Sequence, residues 1–573
     1  MVQGAALPQR QLRAPLCGLL LLAAGGTQAL ALAWPWAGAL LPQGQPLAWL
    51  QWAGLLLLVP LLRAAPSWRA AAVYAWWFAL VWLAGTFWWL FISMHTYGGL
   101  PAPLAVLAVL ALAGFLALFY AAAGAAFWHW RGATPAVQAL AFAACWTLAE
   151  LARGRWLTGF PWGAGGYALV DALGALAPYV GVYGLGALSA AAAALLSAFV
   201  PWRGRVGPTL AASAAPATRW LGAGTVAARG WALVLGAGWL WLLAWPGAGA
   251  ALWQVLPLHT TSTGPLAVTL LQGNIAQDEK FQAGSGVPDA MNWYGQQLRA
   301  AVAPAVAADP ALAGQGADAV PAATAAPRLV LAPETAIPLL PQDMDPAYWR
   351  SLLNAIASGD AAVMLGLPLG SLADGYTNSV AGWTPGALDF HRYDKHHLVP
   401  FGEFIPPLFR WFTNLMHIPL GDFNRGTLAQ PPLLWGGQRM APNICYEDLF
   451  GEELAAGFAD PARAPTVLVN VSNIGWFGDS VAIDQHRHIS RMRALELQRP
   501  MLRATNTGAT AVINHLGQVT HELPRLTRAT LHAQAEGRTG LTPYARWASR
   551  WGLGPLWLGC GLVLLLLSRR RTT

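Results

Sequence analysis

The chain has 573 residues, of which 56% are hydrophobic and only 10% charged, with a mean hydropathy of +0.42. It is too long for one compact domain and too apolar for an ordinary soluble protein, so much of it belongs in lipid. A net charge of +8 could suit nucleic acid, but the arginines are scattered through short loops and form no basic face, which argues against that partner.

Apolar runs long enough to span, roughly 17 residues or more, lie near 14–34, 47–62, 71–92, 103–129, 136–152, 177–201 and 231–247, with an eighth near 551–568. About eight transmembrane helices are therefore expected: seven in a membrane domain over 1–250, and one at the C-terminal end over 551–568. With the N-terminus inside, Arg10, Arg13, Arg63, Arg69, Arg131, Arg203, Arg205, Arg219, Arg229 and Arg569 to Arg571 face the cytoplasm, and only Arg153 and Arg155 lie in short outside loops. That bias follows the positive-inside rule. It predicts a multi-pass inner-membrane protein with both termini cytoplasmic and the intervening soluble domain periplasmic. Leu16 before Cys17 is not the small residue of a cleavage site, so the first span is expected to be retained.

Only Glu150 and Asp171 among the acidic residues precede residue 264, whereas the stretch from there to about 550 has ordinary soluble composition. Apolar runs at 266–271, 328–332, 362–367, 443–445 and 466–470 read as strands, and segments near 287–305, 346–357 and 482–498 read as helices. This alternation predicts an inserted α/β domain over 264–520, followed by a connector over 521–550. The Ala-rich stretch between about 300 and 327 reads largely as a variable loop.

Three polar residues follow strand-like runs: Glu334, Lys395 and Cys445. Strand ends are where α/β folds gather catalytic groups. Cys17, Cys145 and Cys560 sit in apolar spans, which leaves Cys445 as the soluble domain's only thiol, with no partner there for a disulfide. Its position predicts a strand turning into a helix near Tyr446, where a helix N-terminus favours the thiolate. Lys395 stands out because the chain has 32 Arg and two Lys, the other being Lys280. A compact ammonium kept against that bias suits a developing oxyanion or a proton exchange better than a guanidinium does. Taken singly, each has a bland reading: a surface carboxylate, a chance lysine, an inert cysteine.

In context, the segments Pro333 to Pro338, Lys395 to Glu403, Ile444 to Glu447, Arg493 to Leu497 and Thr505 to Gly508 resemble the apolipoprotein N-acyltransferases of the nitrilase superfamily. The resemblance extends into the membrane region through Tyr97 to Pro101 and Thr158 to Trp162. It implies a nitrilase-like α-β-β-α sandwich with Glu334 as general base, Lys395 as oxyanion stabiliser and Cys445 as nucleophile. It further implies supporting roles for Glu403, Tyr446 and Glu447. Phe281 and Ile474 depart from the residues common in that family, Trp and Asp respectively, so roles tied to those side chains do not transfer.

The implied reaction moves a fatty acyl group from a phospholipid donor, through a Cys445 thioester, to the α-amino group of a diacylglyceryl-modified apolipoprotein. No cofactor, metal or nucleic acid is expected, and the chain is expected to act as a monomer. Two alternatives stay open: a membrane-tethered amidase sharing the triad, and a transporter or scaffold with a silent external domain. Among other features, the pairs His396/His397 and His486/His488 lack a surrounding ligand set for a metal. Glu150 and Arg153, one turn apart, read as a structural ion pair or a lipid-headgroup contact. The apolar stretch 406–416 reads as core or as a lid at the membrane surface.

Overall fold

The computed structural model describes residues 14–197, 248–304, 326–387, 389–405 and 423–572. Its helical part comprises α1 (Ala14–Ala31), α2 (Ala48–Ala64), α3 (Trp68–Phe87), α4 (Ala102–Phe127), α5 (Pro135–Arg155) and α6 (Ala177–Ser197). The starts follow local chemistry. Ser67 Oγ accepts the Ala70 amide at the head of α3, and Pro135 occupies the first turn of α5, where no amide partner is needed.

Four helices among the described residues are long and apolar enough to cross a membrane: Trp68–Phe87, Ala102–Trp130, Pro135–Thr158 and Gly174–Ser197. The pair Pro543–Trp551 and Gly554–Arg569, bent by 90°, adds a fifth if taken as one span, while α1 and α2 are shorter apolar helices. The run at 231–247, expected to be a span, lies outside the described residues, as does the 406–416 stretch. A short helix, α7 (Ala248–Val255), leads into the second part.

That part contains two six-stranded sheets. The first has the order β12-β1-β2-β3-β4-β5, from Ala529–Gly540, Thr260–Gln272, Arg328–Leu331, Ala361–Ser371, Gly375–Trp383 and His391–Asp394. The second runs β11-β10-β9-β8-β7-β6, from Val519–Glu522, Ala511–Ile513, Met501–Thr505, Val467–Ser472, Gln438–Ile444 and Leu433–Trp435. Each has three parallel strands at its centre, β1-β2-β3 and β7-β8-β9, flanked by antiparallel ones.

Alternate residues of the central strands face two cores, which is why the middles of β1, β2, β3 and β8 read as largely apolar runs. Between the sheets lie Val268, Leu270, Leu331, Met364, Val469 and Leu502. Leu271, Val330, Val363 and Leu365 instead meet α8 (Gly286–Val302) and α9 (Pro346–Ser358) through Leu298 and Leu352. On the far side, α10 (Gly451–Ala456), α11 (Ala482–Leu497) and α12 (Pro543–Trp551) cover the second sheet through Ala455, Leu497 and Tyr544. The layers are α-β-β-α.

Residues 521–550, expected to be a connector, belong to this domain. β12 pairs with β1 along nearly its whole length, from Thr260 opposite Gly540 to Gln272 opposite Ala529. As an edge strand it is only half covered and carries Thr, His, Gln, Glu and Arg, so its composition hides its membership. The domain also starts earlier than residue 264, because β1 begins at Thr260. After α12 the chain turns at Gly552 into α13 (Gly554–Thr572).

One apolar cluster joins the two parts. Tyr446, Leu449, Phe450, Ile474, Ile483 and Leu495 of the α/β part pack with helix residues such as Trp82, Trp89, Trp162 and Tyr167. Ile474 is buried there, so the departure from the family pattern leaves an apolar contact in place.

Candidate active site

Glu334, Lys395 and Cys445 all follow strand ends, and the fold brings these ends together. Glu334 comes three residues after β2, Lys395 directly after β5 and Cys445 directly after β7. Cys445 has φ +51° and Thr335, beside Glu334, has φ +45°. Such left-handed backbone in non-glycine residues is uncommon and clusters where a fold must aim a side chain.

Lys395 is buried at 1% exposure between two carboxylates, its Nζ lying 2.9 Å from Glu403 Oε1 and 3.5 Å from Glu334 Oε1. Asn378 Nδ2 bridges the same two oxygens, donating to each at 2.7 Å. The other Glu334 oxygen, Oε2, accepts the Asn473 amide at 2.8 Å, and Glu403 Oε2 accepts the Val399 amide at 2.8 Å. Every carboxylate oxygen in the centre is thus held.

Burial alone would raise the Glu334 carboxyl, but Lys395, the Asn378 amide and Lys280 outweigh it and hold the group below its ordinary value. Burial would lower the Lys395 ammonium, yet Glu403 and Glu334 push it up, so it stays charged. Burial and the facing Glu334 charge push the Cys445 thiol up to about 12, against the pull of Lys395. This corrects the expectation of a thiolate favoured by a helix start. Cys445–Leu449 is a single 3₁₀ turn, α10 begins only at Gly451, and burial dominates over so short a dipole. At neutral pH Cys445 therefore rests as a thiol, and any attack by its sulfur requires a base to take the proton.

Glu447 is a clamp. Its Oε1 accepts the His396 and His397 amides at 2.6 and 3.1 Å, and its Oε2 accepts the Ile444 amide at 2.6 Å and the Tyr393 hydroxyl at 2.8 Å. One carboxylate therefore ties the Lys395 strand end to the Cys445 strand end. Tyr446 points toward the helical part, donating to the Gly159 carbonyl at 3.0 Å and stacking on Phe160. His397 Nε2 reaches the Thr158 carbonyl at 3.0 Å, so the Thr158 to Trp162 motif lies against the nucleophile loop.

Glu150 and Arg153 make no direct salt bridge, and both hold the backbone of 160–165, in and just beyond that motif. Glu150 Oε1 accepts the Gly165 amide at 2.9 Å, and Arg153 Nη1 donates to the carbonyls of Phe160 and Trp162 at 2.6 and 2.8 Å. Both are buried, which removes the headgroup alternative. His486 lies behind the nucleophile: its Nε2 contacts the Cys445 carbonyl at 3.2 Å and Asp448 Oδ1 at 2.9 Å. Both partners accept, so Nε2 carries the proton. Asp448 is also held by Ser490 and by Arg503 at 3.1 Å.

Asn378, Asn473 and Lys280 complete the site and were not assigned roles from sequence. A signal existed for Asn378: Thr377, Asn378 and Ser379 are three successive polar residues in the middle of a strand, and all are buried. Lys280 shared the scarcity that drew attention to Lys395.

The chain matches the family model described as apolipoprotein N-acyltransferase N-terminal domain over residues 25–195 and the carbon-nitrogen hydrolase model over 270–544. It is 52% identical to the apolipoprotein N-acyltransferase of Verminephrobacter eiseniae (strain EF01-2), covering 93% of this chain and 92% of that protein. The apolipoprotein N-acyltransferase of Ralstonia nicotianae (strain ATCC BAA-1114 / GMI1000) is 42% identical, with 91% and 90% covered. The chain belongs to the apolipoprotein N-acyltransferase family. It is an acyltransferase built from the family's helical domain and a nitrilase-like carbon-nitrogen hydrolase domain, whose matched limit of 544 agrees with β12 closing the first sheet. Among solved structures, a carbon-nitrogen hydrolase from Helicobacter pylori G27 aligns at 14% identity with a TM-score of 0.33, over 50% of this chain and 93% of that one.

Proposed function

We propose that the chain transfers a fatty acyl group from a phospholipid to the α-amino group of a diacylglyceryl-cysteine at the start of an apolipoprotein, by way of a thioester on Cys445. The observation that carries this reading is the Lys395–Glu334 pair, with the Cys445 thiol within electrostatic reach of both and next to Tyr446, which meets the helical part.

In the first half-reaction Glu334 takes the Cys445 proton as Sγ attacks the ester carbonyl, and Lys395 with backbone amides near Tyr446 stabilises the oxyanion. The S–C bond forms, the ester C–O bond breaks, and the leaving lysophospholipid oxygen receives the proton from Glu334. In the second, the acceptor nitrogen attacks the thioester, an N–C bond forms, the S–C bond breaks, and the nitrogen's proton returns through Glu334 to the Cys445 sulfur. Glu403 anchors Lys395, and Tyr446 and Glu447 orient the nucleophile loop.

The catalytic domain then faces the periplasm, held at the inner membrane by helices on both sides of it in sequence, where both lipid-anchored substrates are concentrated. The test is intact-mass measurement of full-length protein in detergent after mixing with phospholipid. A hydroxylamine-labile acyl adduct on wild type and none on Cys445→Ala is expected; an equal adduct on the variant overturns the thioester. Adding a diacylglyceryl-cysteine peptide should yield N-acyl peptide, whereas free fatty acid alone would favour an amidase.

A further inference from the structure

The chain's only two lysines flank a single residue. Lys395 meets the side chain of Glu334, while Lys280 Nζ donates to the Glu334 main-chain carbonyl at 3.1 Å. Lys280 is 1% exposed and lies eight residues past the end of β1, in a turn closed by its own amide on the Ala276 carbonyl. The same turn braces Glu334 a second time: Gln277 Oε1 accepts Asn473 Nδ2 at 2.8 Å, and the Asn473 amide donates to Glu334 Oε2. An ammonium is costly to bury, so its retention at this point demands compensation by nearby negative charge.

We propose that Lys280 is a positioning residue of the catalytic site: anchored on the main chain of Glu334, it fixes that strand end and supplies a second positive charge behind the carboxylate. The inference rests on the reading of Glu334 as the base. The charged and titratable groups that face Glu334 are Lys395 after β5, Glu403 beyond it, Cys445 after β7 and Lys280 from the turn after β1. Burial lowers Lys280 to about 7 against the pull of Glu334 and Cys445, so the amine is charged throughout the acid range in which Glu334 titrates. Removing that charge lifts Glu334 toward its unperturbed value, whereas exchanging one cation for another does not. A role in packing alone predicts no such distinction.

The experiment compares wild type with Lys280→Gln, Lys280→Met and Lys280→Arg as full-length protein in detergent, following the rate of Cys445 acylation by phospholipid from about pH 2.5 to 8, so that the acid limb of a carboxyl held below about 4.3 is covered. The acid limb moves up by about one pH unit in each neutral variant that elutes as folded protein, and stays in place in the Arg variant even if its maximal rate falls. A neutral variant whose limb coincides with wild type, or an Arg variant whose limb shifts equally, overturns the proposal. Failure of wild type to form any adduct would instead count against the acyl-transfer reading. The role of Lys280 is then read without acyl substrate, from iodoacetamide alkylation of Cys445 at pH 8. There the Gln variant should react about threefold or more slowly than the Arg variant, and equal rates overturn the proposal.

Discussion

At the scale of single residues, the site works by holding opposite charges where water cannot screen them. Lys395 is paired with two carboxylates, so Lys395→Ala removes the proposed oxyanion contact and also leaves Glu334 and Glu403 facing each other. A loss of about 10²–10³ in kcat is expected from the first effect alone, measured as N-acyl peptide formed per enzyme. Because Glu334 is held below its ordinary value of about 4.3, the base function proposed for it should persist into the acid range and be lost as pH falls through the depressed folded value. The same linkage acts on stability: the contribution is fully present above the unfolded carboxylate pKa and disappears below the folded one. A pH profile of kcat/KM, with thermal unfolding at each pH, checks both. Cys445, pushed up to about 12, should react with iodoacetamide at pH 7 at least about a hundredfold more slowly than free cysteine, whose thiol lies near 8.5. The three residues could be picked out from their motifs in the sequence; the electrostatic setting proposed for them came from burial and neighbours that no local motif encodes.

At the scale of elements, the fold places Glu334, Lys395 and Cys445 just past strand ends and then locks those ends together. Glu447 accepts four donors from the ends of β5 and β7 and the residues after them. Glu447→Gln turns one acceptor into a donor against two of those groups, with an expected cost of about 1–3 kcal/mol. Both a lowered unfolding temperature and a reduced kcat should follow, and a variant with normal kcat would show that the clamp is not needed for geometry. β12 carries a second prediction. Its pairing with β1 spans Thr260 to Gln272, so a fragment ending at residue 520 exposes a long bare strand edge. The fragment 258–552 should be measurably better folded than 258–520 by circular dichroism and solubility. The cores of β1, β2, β3 and β8 were legible because both faces are buried and their residues are mostly apolar, whereas β9, with Arg503 and Thr505 among its five residues, was not. β12 was not, because an edge strand shares its composition with a surface loop.

At the scale of the whole molecule, the catalytic layer is tied to the helices by polar contacts set in an apolar seam. Gln485 Oε1 accepts the indole N–H of Trp89 at 3.0 Å and of Trp162 at 2.8 Å, and its Nε2 donates to the Thr86 carbonyl at 3.3 Å. Glu496 Oε1 accepts the Val182 amide at 2.7 Å on the α6 side. Gln485 immediately precedes His486, whose Nε2 touches the Cys445 carbonyl, so a disturbance at the seam reaches the nucleophile through adjacent residues of one helix. Gln485→Leu leaves two buried indole donors unpartnered, at about 1–3 kcal/mol each. Earlier thermal inactivation in detergent is expected, with the acyl adduct on Cys445 still forming at low temperature. Loss of the adduct without loss of stability would contradict this division between seam and site.

The sequence by itself determined the two-part composition, the apolar helices, the alternation of strand and helix, and the order of Glu334, Lys395 and Cys445, because each is written in local hydrophobicity or in a short run of residues. Only the tertiary structure decided that 529–540 forms an edge of the first sheet, that Glu150 and Arg153 hydrogen-bond to the backbone of 160–165, and that Asn378, Asn473 and Lys280 surround Glu334. These last contacts join residues far apart in the chain whose side chains are individually ordinary. Their meaning arises when the strands converge and exclude water from the charges between them.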